Sequence, residues 1–324
     1  MNRRALLRTV LSSALPVVTG GCCRSPGRPG ASDLVYQGDA FGTKVSITIS
    51  GLDRAKSERL LSGAIAEMGR LEAIFTLFDA QSPLRRLNSD GRLDQPPQEL
   101  VEVLRISAEV NQMTGGAFDP TVQPLWDLYE NHFALRPGDL AGPPPEAIAD
   151  ARARIGWARV DVGAKRIEFA GEAMAITLNG IAPGYAADRV AAWLADRGGR
   201  HALIDTGEFR AIGSRPDSSP WRVAIRAGDE IVDEVELVDQ GLASSSGSGT
   251  TFDLAGQIHH LFNPQSDRFS DSRRTISVEA PTAAVADALA TAGGIMGPGE
   301  LRSLVSGDEQ LLVREYQHGR ASGS

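Results

Sequence analysis

Residues 178–194 read LNGIAPGYAADRVAAWL and join an apolar run to an amphipathic helix through a turn that contains two glycines. This order predicts a strand, a tight loop and a helix N-terminus. Gly180 and Gly184 let the backbone approach a ligand closely. The free N–H groups at the start of the helix favour an anionic group, so a phosphate-bearing ligand is expected at this loop. The loop has neither GxGxxG nor GxxxxGK[ST], and a purely structural turn is the alternative interpretation.

Strands and helices occur in mixed order around this junction. Apolar residues recur at helical spacing over 57–75, 99–113, 184–197 and 282–293. Strand-like patterns cover 34–50, 160–162, 166–169, 173–178, 201–212, 221–226, 234–237, 242–244 and 275–279. The first of these contains the expected turn Phe41-Gly42-Thr43. The region 131–149 contains several Pro and Gly residues and is the segment most typical of an internal boundary or excursion. Because the order is not a regular βαβ alternation, the expected fold class is α+β in one compact domain.

The composition is typical of a globular protein with an acidic surface. The 324 residues are 42% hydrophobic and 23% charged, which is enough to bury a substantial core. The net charge of −8 becomes −11 without the three arginines of residues 1–22. This balance argues against binding to nucleic acid. If the ligand is a pyrophosphate, a metal ion or backbone N–H donors must offset the repulsion.

Residues 1–23, MNRRALLRTVLSSALPVVTGGCC, have the basic start, short apolar stretch and small residues of an export signal. The Arg3-Arg4 pair resembles a twin-arginine (Tat) signal, and the basic start of an ordinary Sec signal is the alternative. The sequence around Cys22 resembles a lipobox, and residues 24–33 are a Pro/Gly/Ser tether. Since Cys22 and Cys23 are the two cysteines, the body has no disulfide or thiolate site. The expected location is the periplasm or the outer face of the cytoplasmic membrane.

Two oxygen-bearing side chains lie four residues apart in the helical segment APTAAVADALATAGG, residues 280–294. This spacing puts Asp287 and Thr291 on one face of the helix, near its glycine-rich end. A carboxylate, a hydroxyl and backbone carbonyls are hard oxygen ligands that suit Mg²⁺. Solvent contacts or helix capping are the alternative.

Two adjacent histidines begin the segment HHLFNP, residues 259–264. In a strand, their side chains would point to opposite sides. An imidazole can transfer a proton near neutral pH, and a satisfied surface histidine is the alternative.

Several segments occur in the order in which one family has them. They are 41–47 FGTKVSI, 75–88 FTLFDAQSPLRRLN, 114–129 TGGAFDPTVQPLWDLY, 178–194, 259–267 HHLFNPQSD and 280–298 APTAAVADALATAGGIMGP. Together they resemble the FAD:protein FMN transferases, the ApbE-type flavin transferases. The resemblance covers residues 34–324 and implies an ApbE-like, T-fold-like α+β domain. LNGIAPGYAAD, IDTGEFRAIG and HHLF are most similar to the NosX-type branch, which is associated with the flavoprotein NosR.

The resemblance assigns roles to residues that the sequence alone leaves open. It implies that Asp287, Thr291 and the carbonyl of Gly180 hold Mg²⁺. Ala290 stands where some members carry a second Asp. His260 matches the family's histidine and is therefore expected to be catalytic or to orient the flavin, whereas replacement of His259 is expected to have little effect.

Flavin contacts are implied at two further places. Phe41 and Phe78 stand where many members have Met and Tyr against the flavin, and core packing is the alternative for both. The turn of Ala117, Phe118 and Asp119 corresponds to a segment that lines the FAD site. Asp119 alternatively serves as a turn or N-cap residue.

Three positions depart from the family pattern. Thr177 stands where an Asp that contacts the flavin nucleotide is common, and Pro183 replaces a Lys, Glu or Gln. Residues 205–208, DTGE, are one glycine short of the usual GGE. Thr177 and Pro183 are still expected at cofactor-binding positions, and the departures leave the affinity for FAD open.

The resemblance implies Mg²⁺-dependent transfer of the FMN moiety of FAD to a Ser or Thr hydroxyl of an exported or membrane flavoprotein, with release of AMP. A NosR-like protein is the hypothesised acceptor, and membrane association is expected only through a lipid anchor on Cys22. Two alternatives stay open: a non-catalytic FAD-binding lipoprotein, and an FAD pyrophosphatase in which water replaces the acceptor.

Overall fold

Alternating apolar and polar residues form the strands of three antiparallel sheets. The computed structural model describes residues 33–139, 141–266 and 269–317. The strands are β1 (Leu34–Ala40), β2 (Thr43–Ile49), β3 (Arg92–Asp94), β4 (Val160–Val162), β5 (Arg166–Phe169), β6 (Ala202–Asp205), β7 (Phe209–Ile212), β8 (Trp221–Ala227), β9 (Glu230–Leu237), β10 (Gly241–Ser246), β11 (Arg274–Ala280) and β12 (Leu312–Gln317). The large sheet has the order β1-β2-β6-β7-β10-β11-β12, a small sheet has the order β3-β5-β4, and β8 pairs with β9.

Three of the eight α-helices in the described ranges begin at a side-chain cap. The helices are α1 (Arg54–Phe75), α2 (Pro83–Asp90), α3 (Gln98–Met113), α4 (Gln123–Leu135), α5 (Pro145–Arg152), α6 (Ala182–Ala195), α7 (Ala283–Ile295) and α8 (Glu300–Leu304). The capped helices are α1, α2 and α7. Asp53 caps α1 and Thr282 caps α7, each by accepting a hydrogen bond from the N–H three residues later. Such caps satisfy N–H groups that the helix itself leaves unpaired.

Helices α6 and α7 pack side by side against the large sheet. Their facing surfaces consist largely of Ala and Gly, so the two backbones come into contact. At Gly184 a methyl group would overlap the carbonyl group of Ala283. The β8–β9 hairpin covers the other face of the sheet, where it packs on Phe209 and Ala211. Arg210 lies between these two residues and faces α6, as the alternation of a strand requires.

A separate aromatic cluster joins α4 and α5 to the segment that follows β10. We call it the aromatic cap, and its members are Trp126, Tyr129, Phe133, Phe252, Phe262 and Phe269. The ring centroids of Tyr129 and Phe262 are 5.2 Å apart. Aromatic packing of this kind contributes both buried area and a preferred geometry. It therefore fixes the segment that carries the two adjacent histidines.

The fold class predicted from the sequence is confirmed, because helices and strands form a mixed α+β domain. The predicted helices over 57–75, 99–113, 184–197 and 282–293 correspond to α1, α3, α6 and α7. The turn predicted between the first two strands is also present. There Phe41 has φ 51° and Gly42 has φ 75°, so the chain reverses through left-handed backbone.

The strand predicted over 173–178 is wrong. Ala173 has left-handed backbone with φ 53°, and residues 174–178 pair with no strand in the described part of the chain. Instead, the Asn88 amide donates to the carbonyl of Ile176 and accepts from its N–H, both at 2.8 Å. The N–H of Thr177 donates to the carbonyl of Pro120 at 2.8 Å. One side chain and one loop carbonyl therefore satisfy backbone groups that a neighbouring strand would otherwise pair.

Other boundaries also differ from the sequence prediction. The strand predicted over 201–212 is two strands, β6 and β7, joined by a turn at 206–208. Parts of the excursion predicted over 131–149 belong to α4 and α5. The predicted signal at 1–23 and the tether, except for residue 33, lie outside the described residues. None of the helices in the described ranges is long and apolar enough to cross a bilayer.

Asn88→Ala is expected to lower the free energy of unfolding by about 2–3 kcal/mol, because it leaves two buried backbone groups without partners. Asn131→Ala is the matched control, since its amide donates only to the carbonyl of Asp127 on an exposed helix surface. Urea unfolding followed by circular dichroism measures both. Equal unfolding midpoints for the two variants would contradict the assigned role of Asn88.

Candidate active site

The first turn of α6 meets the middle of α7 and brings several predicted residues together. The N–H of Gly184 donates to Oδ2 of Asp287 at 3.2 Å. A methyl group at Gly180 would lie 2.7 Å from Oγ1 of Thr291, so only glycine fits between the loop and the helix. Gly180, Asp287 and Thr291 are therefore neighbours, although more than a hundred residues separate the loop from α7.

This arrangement offers a set of oxygen donors that fits Mg²⁺. Asp287 is 4% exposed. Within the described ranges no Lys or Arg side chain pairs with it, and the N–H of Gly184 is its hydrogen-bond partner. A buried carboxylate beside a hydroxyl and a carbonyl suits a hard cation. Ala290 lies in the core and has no side-chain oxygen. Since no three His, Cys, Asp or Glu of the described residues converge on a metal position, hydroxyl, carbonyl and water oxygens would complete the set.

Further acidic side chains surround Asp287. Burial and the charge of Asp188 raise the pKa of Asp287 to about 8. Burial, followed by the charge of Asp287, raises the pKa of Glu208 well above its ordinary value. Burial raises the pKa of Asp205 to about 7, although the N–H of Gly207 donates to it at 2.9 Å. Without a cation, burial therefore favours the protonated form of these carboxyl groups.

Asp188 fixes α7 against α6. Its two oxygens accept hydrogen bonds from the N–H groups of Ala283 and Ala284, both at 2.9 Å. Arg210 pairs with the same carboxylate at 3.1 Å. Burial nevertheless raises the pKa of Asp188 to about 6. The carboxylate thus caps α7 from a neighbouring helix and sets the position of Asp287 one turn later.

The turn predicted to line the FAD site is held by its own hydrogen bonds. Asp119 accepts from the N–H and hydroxyl of Thr121 at 2.8 and 2.6 Å, and from the N–H of Trp157 at 3.2 Å. Burial raises the pKa of Asp119. Phe118 lies in the main core, and the half-buried Ala117 packs against that core. The turn contacts residues 173–178 through the hydrogen bond from the N–H of Thr177 to the carbonyl of Pro120.

The two aromatic residues predicted to contact flavin lie in different environments. Phe41 is half-buried against two core clusters, and its N–H donates to Glu72 at 2.8 Å. Phe78 is 76% exposed. Core packing therefore accounts for part of the Phe41 ring, whereas it does not account for Phe78.

His260 has one ring nitrogen committed to the protein. Its Nδ1 lies 3.2 Å from the carbonyl of Thr250, and a carbonyl only accepts, so Nδ1 carries the hydrogen. Nε2 is then the nitrogen with the free lone pair. Burial lowers the pKa of His260 to about 4, which keeps the imidazole neutral near pH 7. The edge of Trp126 packs against the ring, with 6.3 Å between centroids.

His259 has a structural role that the sequence did not indicate. It is 0% exposed. Its Nε2 lies 3.0 Å from the carbonyl of Ser270, and its Nδ1 accepts from the N–H of Leu261 at 3.3 Å. His259→Ala is therefore expected to lower the stability of this segment, because both bonds would be lost in the core.

The sequence prediction missed residues whose partners lie far along the chain. Arg152 donates to the carbonyls of Asn263, Pro264 and Ser266 and so holds the loop after the histidines. Asp188 was also missed, although it lies one helical turn after Gly184 and thus on the same face, which is the one local signal. Glu208 was missed as well. It belongs to the DTGE turn, where the sequence indicated only a missing glycine.

Comparisons with known proteins identify the family of the chain. A sequence model described as the ApbE family matches residues 41–313. The FAD:protein FMN transferase of Klebsiella pneumoniae is 27% identical over an alignment of 304 positions, which covers 89% of this chain and 86% of the relative. That of Escherichia coli K12 is 25% identical over 91% of this chain and 88% of the relative.

Solved structures show that the similarity extends to the fold. The flavin transferase ApbE from Vibrio cholerae has a TM-score of 0.76 at 22% identity, with 90% of this chain and 98% of that chain covered. The apo flavinyl transferase ApbE of Pseudomonas stutzeri has a TM-score of 0.74 at 25% identity, with 89% and 94% covered.

Asp287→Asn is expected to stabilise the protein at pH 8 in EDTA by about 1–2 kcal/mol, because it removes a buried charge that lacks a cation. An unfolded Asp titrates near about pH 4. Because folding raises this pKa, the wild type loses stability as pH rises from about 4 to 8, and the variant should lose less. Melting midpoints at pH 5 and pH 8 test this.

Mg²⁺ should raise the melting midpoint of the wild type at pH 8 and leave that of Asp287→Asn unchanged. Asp196→Asn, an exposed change on α6, is the control for loss of one negative charge. A variant that melts below the wild type at both pH values would contradict the assignment.

Proposed function

The chain belongs to the ApbE family, and on that premise we propose that it is an FAD:protein FMN transferase. The observation that best supports this proposal is the junction of α6 and α7. There the N–H of Gly184 donates to Asp287, and Gly180 lies against Thr291. A helix N-terminus beside hard oxygen ligands suits a phosphate-bearing substrate.

The proposed reaction transfers a phosphoryl-linked group. The hydroxyl oxygen of a Ser or Thr on the acceptor protein attacks the flavin-side phosphorus of FAD and forms a new P–O bond. The pyrophosphate P–O bond breaks, AMP leaves with that electron pair, and the hydroxyl proton passes to a base. Negative charge accumulates on the phosphoryl oxygens during this step and is the main barrier to stabilise.

The residues at the junction are proposed to hold the pyrophosphate and the cation. The N–H groups of Ala182, Gly184 and Tyr185 donate to Leu178, Asp287 and Ile181, and Pro183 has no N–H. The start of α6 would therefore favour the pyrophosphate through the positive end of its helix dipole rather than through free N–H donors. Asp287, Thr291 and the carbonyl of Gly180 would hold Mg²⁺. When bound, Mg²⁺ would supply positive charge against the phosphoryl oxygens. The raised pKa of Asp287 supports this, since a buried carboxylate without a cation is disfavoured.

His260 is proposed to accept the proton of the acceptor hydroxyl. Its Nδ1–H is committed to the carbonyl of Thr250, which leaves Nε2 as an acceptor. Its low pKa keeps Nε2 unprotonated across the neutral range. The aromatic cap fixes the ring through Trp126, so the lone pair has a defined direction.

The remaining predicted contacts are proposed to bind the flavin nucleotide. Phe78 is exposed and offers a ring face, and part of the Phe41 side chain is accessible. The backbone of the turn 117–119 and Thr177 are joined by a hydrogen bond through Pro120, so they form one continuous surface. Pro183 contributes through its backbone at the first turn of α6.

Two rival functions give different products. A non-catalytic FAD-binding lipoprotein would leave FAD unchanged, whereas an FAD pyrophosphatase would release FMN and AMP without an acceptor. The purified protein is incubated with FAD and Mg²⁺, with and without a NosR-like flavoprotein domain. The transferase should release AMP in step with covalent flavin on the acceptor. Release of FMN and AMP without acceptor would support the pyrophosphatase. Unchanged FAD in all samples would support the non-catalytic binding protein.

We propose a periplasmic location on the basis of residues 1–23, with export by Tat or Sec and an optional lipid anchor on Cys22. The proposed acceptor is an exported or membrane flavoprotein, NosR-like by hypothesis, and the NosX-type assignment stays a prediction. Cells that lack the protein should lose the in-gel flavin fluorescence of such an acceptor, and the mature domain with an export signal should restore it. Unchanged fluorescence in a strain without a redundant homologue would contradict this.

His260→Ala is expected to lower kcat on the order of 10²- to 10⁴-fold and to leave FAD affinity almost unchanged, because a base acts mainly in the transition state. With Mg²⁺ saturating at each pH, so that Asp287 is ionised, the wild-type activity should fall only below about pH 5, since the neutral imidazole is the active form. Stopped-assay rates, FAD fluorescence titration and a pH profile measure this.

His201→Ala serves as the control, because that imidazole lies outside the aromatic cap and contacts the carbonyl of Ser214. If FAD affinity collapses in His260→Ala while the residual rate per bound FAD is unchanged, the residue orients the flavin and is not the base.

A further inference from the structure

Two positions that depart from the family pattern contact each other. Thr206 stands where a glycine is usual, and its hydroxyl donates to the carbonyl of Pro183 at 2.8 Å. Thr206 is 0% exposed, so water does not compete for this bond. A longer contact to the carbonyl of Glu208, 3.3 Å, is the alternative acceptor. The hydroxyl has one hydrogen, and the shorter contact is the better bond.

The bond joins the β6–β7 turn to the start of α6. The turn is stiff, because the N–H of Thr206 donates to the carbonyl of Glu208 at 3.0 Å and the N–H of Gly207 donates to Asp205 at 2.9 Å. The backbone that carries the Thr206 side chain is therefore held in place. It reaches from this turn to a backbone group of the neighbouring helix.

The carbonyl of Pro183 and the N–H of Gly184 belong to one planar peptide group. Thr206 holds this peptide at its oxygen, and Asp287 holds it at its nitrogen. Rotation of the plane would break both bonds. A hydrogen bond to the oxygen also polarises the peptide, which strengthens its N–H as a donor.

We propose that Thr206 is a positioning residue that fixes the 183–184 peptide and thereby the carboxylate of Asp287. The proline at 183 has no polar side chain with which to anchor the loop, and the threonine across from it supplies an anchor instead. This inference rests on the proposed function for its catalytic consequence, whereas its structural part concerns the cation position alone.

The deciding variants are Thr206→Val, which removes the donor and keeps the branched shape, and Thr206→Ser, which keeps the donor. Thr206→Ala is a second donor-free variant in case the valine form does not fold. Thr275→Val is the matched control. Thr275 is also 0% exposed, and its hydroxyl has no hydrogen-bond partner among the described residues, so the same change removes no bond there.

Three measurements are made on the mature protein with each variant. They are the melting midpoint with and without Mg²⁺, the Mg²⁺ concentration for half-maximal FMN transfer, and kcat/KM for FAD. Thr206→Val should need about five- to tenfold more Mg²⁺ and lose about tenfold in kcat/KM. Its melting midpoint should rise less on addition of Mg²⁺ than that of the wild type. Thr206→Ser should stay within about twofold of the wild type, and Thr275→Val should match it.

Three outcomes would overturn the proposal. The first is a Mg²⁺ requirement in Thr206→Val equal to that of Thr275→Val. The second is a loss of melting midpoint in Thr206→Val with an unchanged Mg²⁺ shift, which would indicate a merely structural hydroxyl. The third is no Mg²⁺ shift in the wild type. If the wild type shifts with Mg²⁺ but transfers no FMN, the proposed function fails, and the melting data still decide the role of Thr206.

Discussion

The backbones of α6 and α7 are in contact at Gly184, and the rest of the site depends on this contact. No side chain fits there, because the carbonyl of Ala283 occupies the space of a Cβ atom. The close approach allows the N–H of Gly184 to reach Asp287 and places Gly180 against Thr291. Asp188 maintains it by capping α7 from α6. A larger residue at the contact would separate the loop from its helix.

The same contact forces several carboxyl groups into one buried region. Asp287, Glu208 and Asp205 all have raised pKa values, since burial disfavours their charged forms and their charges repel. Of Asp188, Asp205, Glu208 and Asp287, only Asp188 has an ion-pair partner in the described ranges, namely Arg210. Functional sites commonly contain such groups, which lower stability until a ligand compensates them. If the ligand is a pyrophosphate, a bound cation would offset its repulsion from these carboxyl groups.

The histidine is positioned by different means. The aromatic cap, Arg152 and the carbonyl of Thr250 determine the ring and tautomer of His260, and His259 anchors the same segment from the core. The two parts of the site thus have different supports: helix packing for the proposed cation ligands, and aromatic packing for the proposed base.

The sequence by itself determined the α+β class, the helices α1, α3, α6 and α7, and the β1–β2 hairpin, because periodicity and turn chemistry act over a few residues. It also indicated the family, through motifs that lie in order along the chain. Only the tertiary structure decided that residues 173–178 pair with Asn88 rather than with a strand, and that Thr206 and Pro183 share a hydrogen bond. The physical reason is that an apolar pattern records burial, whereas the partner of a polar group is chosen by distant segments that meet only when the chain has folded.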